Sequence, residues 1–157
     1  MERSLYDAAG GSAALLRLAA AWHRRCLDDP VVSHAFSHPG LHPQHVERLA
    51  AYWGEALGGP AGYTAAIGDH SHVLRLHAGN GEHAEMDHRA VQCFALALDD
   101  AALPADPRLR RTLMDWFAWM TTAMAAYPRS PDDVPDDLPL PVWTWNGPPH
   151  PPRPPRP

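Results

Sequence analysis

Eleven histidines in 157 residues are the first feature that could carry chemistry. His77 closes a short apolar-containing segment, His70 to His77, just before Ala78-Gly79-Asn80-Gly81 breaks the chain. An imidazole in a last helical turn has unpaired carbonyls nearby that can fix one ring nitrogen and leave the other to bind a metal. The same position suits a surface histidine favoured by the helix dipole, so position alone leaves both readings open. His23 follows Trp22, and His45 stands near the start of a later helix. Either could donate a hydrogen bond or exchange a proton near neutral pH. His38, His42 and His45 could also be read as a zinc or nickel cluster. Their spacing is loose, Pro39 and Gly40 interrupt it, and no cysteine lies nearby, so it is a weak metal motif. Cys26 and Cys93 form neither a Cys-x-x-Cys pair nor a Cys-x-x-Cys-His attachment motif. They read as two separate reduced thiols on helix faces, with a lone disulfide as the alternative.

The elements that must position these groups are helical. Ser4-Leu5-Tyr6-Asp7 opens a short element that stops at Gly10-Gly11, and Ser12 reads as the next N-cap. From Ala13 to Leu27 the apolar residues Leu15, Leu18, Ala19, Trp22 and Cys26 recur at helical period. Val31 to Phe36 has room for one or two turns. Pro43 suits the first turn of a helix to Leu57, with Val46, Leu49, Ala50 and Trp53 on its stripe, and Gly58-Gly59-Pro60 stops it. Two longer helices are predicted over Glu82 to Ala101 and Pro107 to Tyr127, joined by Leu103-Pro104-Ala105-Asp106 and therefore antiparallel. On that reading His83 and His88 face solvent. Met120, Met124, Trp116 and Trp119 pack the core or its edge. No strand-like alternation and no internal repeat stands out.

Composition limits the function classes. The length suits one domain. The formal net charge is −5, with no concentrated basic stripe, which argues against nucleic acid. All basic side chains are Arg, a mark of a high-GC bacterial genome. The N-terminus is acidic to neutral and Arg17 interrupts the apolar run from Ala13 to Ala21, so neither a signal peptide nor a membrane span is predicted and a cytoplasmic location is expected. After Pro128 the chain turns acidic and Pro-rich. Residues 1–128 read as one globular domain and 129–147 as an extension docked through Val142-Trp143-Thr144-Trp145. Residues 148–157 read as a disordered Pro-rich tail.

Several of these segments, in this order, resemble the truncated haemoglobins. Ser4-Leu5-Tyr6-Asp7 with Gly10-Gly11 is similar to their opening. Glu47-Arg48-Leu49, then Gly58-Gly59-Pro60 and Tyr63, resembles their distal helix and its exit, especially in group II. Leu74-Arg75-Leu76-His77 resembles the segment with their proximal histidine, and Cys93 falls where group II members often have a cysteine. The resemblance covers roughly Ser4 to Tyr127. It implies an all-α, two-over-two helical sandwich with a Pro-rich C-terminal extension, enclosing a non-covalent haem b.

The resemblance also assigns roles. His77 becomes the iron ligand, opposite an open face for a diatomic gas. His45 and Leu49 face the distal side, though His45 could equally point to water. His23 replaces the usual distal tyrosine, its rival reading being the edge of an apolar stripe. Phe36 aligns with the aromatic residue that wedges against the haem. Arg48, Arg75 and Tyr63 are candidates to meet the propionates, or else lie on a solvated face or anchor a turn. Ala90 stands where group II proteins commonly carry Trp, which leaves more room and removes an indole donor. The function implied is reversible binding of O2, NO or CO at ferrous iron. One alternative is a haem redox enzyme, an NO dioxygenase or peroxidase-like catalyst fed electrons by a reductase partner. Another is a non-haem helical module binding metal through histidines or a partner through the Pro-rich tail. Oligomeric state is not readable.

Overall fold

The computed structural model describes residues 2–36 and 41–149. The helices are α1 Leu5–Ala9, α2 Gly11–Asp28, α3 His45–Ala56, α4 His70–His77, α5 Ala84–Asp100 and α6 Pro107–Met124, with 3-10 turns at Val32–Phe36 and Pro131–Asp133. Among the described residues the β structure is one isolated bridge, Thr144 to Gly147.

Caps explain most boundaries. Ser4 Oγ accepts the Asp7 N–H at 3.0 Å, and Asp106 accepts those of Arg108 and Leu109 behind Pro107. Asp69 accepts the His72 N–H at 2.8 Å, so α4 begins where its sequence says. Three starts differ from expectation, α5 by beginning at Ala84 rather than Glu82. Gly10, at φ +115°, ends α1 and begins α2 in one left-handed residue, which places Ser12 inside the helix rather than at its cap. Pro43 lies in a turn, because the His42 ring accepts the Gln44 N–H at 3.0 Å and delays α3 to His45.

Helix α2 packs on both α3 and α5, and α5 packs on α6. Four helices each send an aromatic residue to the centre. Trp22 of α2 meets Trp53 of α3 and Phe117 of α6, each at 5.5 Å between ring centroids. Phe94 of α5 stacks on Phe117 at 4.2 Å. Such offset and edge contacts add about 0.5–1.5 kcal/mol per pair beyond their buried area. Trp116, Phe94, Leu15, Leu18 and Leu113 complete a core from which solvent is excluded. Met120 is buried with them, and Trp119 and Met124 pack at the edge.

The extension lies on this body. The Gly79 and Gly81 N–H groups donate to the Tyr127 and Pro128 carbonyls, both at 2.9 Å. Further on, the Trp143 N–H donates to Ala56 O at 2.8 Å and its ring meets Trp119 at 5.8 Å. Trp145 donates its indole N–H to Arg3 O and lies under the Arg108 guanidinium, 4.7 Å from the ring centroid. Residues 150–157, most of the Pro-rich tail, lie outside the described residues.

Candidate functional site

His77 ends α4, and its Nδ1 lies 2.8 Å from Val73 O. A carbonyl can only accept, so Nδ1–H donates, and the neutral ring presents its lone pair at Nε2. Burial depresses the His77 pKa, against an opposing push from that hydrogen bond, and so favours the neutral form. Neighbouring atoms crowd the ring, while the residue as a whole stays exposed. Leu76 beside it is 66 % exposed, so apolar surface adjoins the imidazole.

Three other predicted residues meet. His23 from α2, Phe36 from the 3-10 turn and His45 from the start of α3 form a ring cluster. His23 lies 4.9 Å from Phe36 and 5.3 Å from His45, and Phe36 lies 5.6 Å from His45, between centroids. The 3-10 turn is held by Asp29, whose carboxylate accepts the Val31 and Val32 N–H groups at 2.8 and 3.0 Å and meets Arg89 of α5. Those bonds keep the Asp29 pKa low. His23 Nδ1 is buried without a hydrogen-bond partner, and desolvation lowers the ring's pKa. A buried polar nitrogen left unpaired costs roughly 1–3 kcal/mol, so the position suits a polar ligand.

The remaining candidates divide. Leu49 is half-buried against the core. Tyr63 is buried edge-on to Tyr52 at 5.3 Å, and the nearby positive charge of Arg48 opposes the rise that burial imposes on its pKa. The Arg75 guanidinium is engaged with the extension, donating to Val134 O at 3.1 Å and pairing with the Asp136 carboxylate. His88 is exposed, as expected, but His83 bonds Asp87 at 2.8 Å. No group of three or more potential metal-ligating side chains occurs among the described residues, and His38 lies outside them.

Cys26 and Cys93 are free thiols, as expected, and both are buried in one small cluster with Val32, across the α2–α5 contact. Burial raises both pKa values, so both stay protonated. Three buried polar groups were not anticipated. Tyr52 and His70 share a 2.8 Å hydrogen bond. Glu55 accepts the Thr64 hydroxyl at 2.7 Å. Ser71 bonds the extension. Only Asp69-His70-Ser71, polar residues opening an apolar helix, hinted at them.

A helical sandwich with a histidine at the end of its short fourth helix is the arrangement of a globin, a haem- and oxygen-binding class of protein. The chain belongs to the bacterial-like globin family, whose model matches residues 4–126. It is similar to a thermostable haemoglobin from the actinobacterium Thermobifida fusca, 29% identical over 81% of this chain and 100% of that one, TM-score 0.64. The haemoglobin of Chloroflexus aurantiacus is 24% identical over 78% and 98%, TM-score 0.65. The group II truncated haemoglobin of Bacillus anthracis is 18% identical over 83% and 96%, TM-score 0.69. No curated protein matches the chain. Among the described residues no helix is long and apolar enough to cross a membrane.

Proposed function

We propose that this globin holds haem b non-covalently through His77 and binds a diatomic gas beneath His23, His45 and Phe36. The observation that carries the reading is the His77 ring: its Nδ1–H is fixed by Val73 O, and the residue is exposed at the end of α4. That combination prepares Nε2 as a metal ligand and holds the ring against rotation. The residues present fit the group. The buried, unpartnered His23 Nδ1 offers a polar contact to a bound molecule, and Leu76 offers apolar surface to a flat macrocycle. The haem supplies an iron that binds O2, NO or CO; the protein supplies orientation, hydrogen bonds and access.

His23 and His45 are the donors to the ligand, and Phe36 keeps their side of the pocket apolar. Arg48 and Tyr63 take the propionates. Arg75 is committed to Asp136 and contributes there by holding α4. The protein acts in the cytoplasm, and ferric iron is returned to ferrous by a reductase.

Absorption spectra of ferric and ferrous protein, beside His77→Gly with and without added imidazole, test this. A Soret band in the wild type, lost or shifted in His77→Gly and restored by imidazole, is expected. A spectrum unaltered by the substitution rejects His77, and a chain that takes up no haem rejects the reading altogether.

A further inference from the structure

The match to the family model ends at residue 126, and residues beyond it make directional contacts with α4. Ser71, fully buried, donates its hydroxyl to Pro135 O at 2.7 Å and accepts the Leu138 N–H at 3.0 Å. One turn on, Arg75 donates to Val134 O and pairs with Asp136. Val134 is buried against Leu74 and Ala78. Positions 71, 74, 75 and 78 follow the i, i+3, i+4, i+7 pattern, so the extension covers one continuous stripe of the helix. His77 leaves α4 roughly 100° round from that stripe, from the spacing of residues on a helix.

An eight-residue helix does not hold itself in water, because its few internal hydrogen bonds do not repay nucleation. Glycines 79 and 81, both at positive φ, follow it immediately and give no rigid continuation. The backbone bonds from these glycines to Tyr127 and Pro128 secure the same end to the start of the extension. What sets the rotation and height of α4 is therefore its stripe of contacts. A carboxylate, a hydroxyl and a valine supply directional and apolar contacts together.

We infer that the extension over residues 130–138 is a clamp that fixes the orientation of His77, with Ser71 and Asp136 as positioning residues for the iron ligand. The inference rests on His77 being that ligand. Its chemical consequence is on the proximal bond: a helix free to turn lets the imidazole tilt, whereas a clamped helix holds one geometry.

The test uses the full chain with Ser71→Ala, Asp136→Ala and the double variant. Arg108→Gln, which removes the contact with Trp145 at the far end of the extension and the ion pair with Glu2, and touches no residue of α4, is the control. Two readouts apply: amide hydrogen exchange along α4 in the haem-free and haem-loaded protein, and the iron–histidine stretching band of the ferrous protein. The double variant is expected to speed exchange of the Val73 to His77 amides about 10- to 100-fold while α2, α5 and α6 keep theirs, since each lost bond opens the helix locally. The stretching band is expected to shift or broaden in the same variants and stay put in Arg108→Gln. Exchange unchanged in α4, or raised equally in every helix, overturns the clamp. A loosened helix with an unmoved band overturns its link to the ligand. Failure of the wild type to take up haem is seen separately, as a missing Soret band, and removes the parent reading with this one.

Discussion

Trp22 donates its indole N–H to the carbonyl oxygen of Ala90 at 3.0 Å, bridging α2 and α5. The bond explains how a small residue is accommodated at position 90. The indole of Trp22 comes across from the facing helix, packing on Phe36 at 5.7 Å and on Trp53. The indole of Trp22 thus already lies against α5, the partner of α2, at position 90. An Ala90→Trp substitution should overpack the contact and destabilise the haem-free protein by about 1–3 kcal/mol, read by urea unfolding. Adding Trp22→Leu should recover part of the loss, so that the double variant is less damaged than the sum of the singles. Strict additivity would mean the two indoles do not share that space.

Gly59 is held by a different constraint. A Cβ there would stand 2.6 Å from the Tyr6 ring and 2.8 Å from Gly54 O, and the backbone oxygen cannot move aside cheaply. Gly59→Ala should destabilise by about 1–3 kcal/mol, the range for overpacking, with α1 the first element to lose protection. Gly62→Ala, which meets nothing within 4 Å, is the matched control and should change stability little.

The helices were readable where short-range chemistry decides them. Asp69 before an apolar-containing run and Ala78-Gly79 after it give α4 both its ends, and the observed helix has the predicted limits. Ser12 misled because a serine is a good cap in general, whereas the left-handed Gly10 joined two helices without one. The meeting of His23, Phe36 and His45 was foreshadowed only by family resemblance. No spacing rule brings residue 23, residue 36 and residue 45 together, because three separate elements deliver them. Contacts such as Cys26 with Cys93, or Ser71 with Pro135, carry no local signal, since their partners are fixed by how whole helices and the extension pack.

Removing one distal donor at a time should separate the roles of His23 and His45. On the proposed reading each imidazole donates one hydrogen bond to the gas, so His23→Phe or His45→Phe should speed dioxygen dissociation about three- to tenfold, the kinetic equivalent of one ordinary hydrogen bond. Carbon monoxide, which is less polar when bound, should respond less. Stopped-flow displacement measures both. Equal effects on the two gases would mean that the rings act by bulk alone.

Acid should weaken the haem-free fold from about pH 6.5 downward, the ordinary histidine range. His70 is buried against Tyr52, and desolvation lowers its pKa despite the nearby Asp69. His23 and His77 are depressed by desolvation in the same sense. A depressed pKa means the unfolded chain binds protons that the folded chain refuses. Stability is therefore full above the unfolded value and is lost as the pH falls below it toward the folded values. Thermal unfolding of the haem-free protein between pH 8 and about pH 5 should show Tm flat at first and then falling. His70→Gln, whose amide can still bond the Tyr52 hydroxyl, should have a shallower fall, because one of the groups that drives it is gone. A slope identical to the wild type would show that His70 takes up its proton without disturbing the fold.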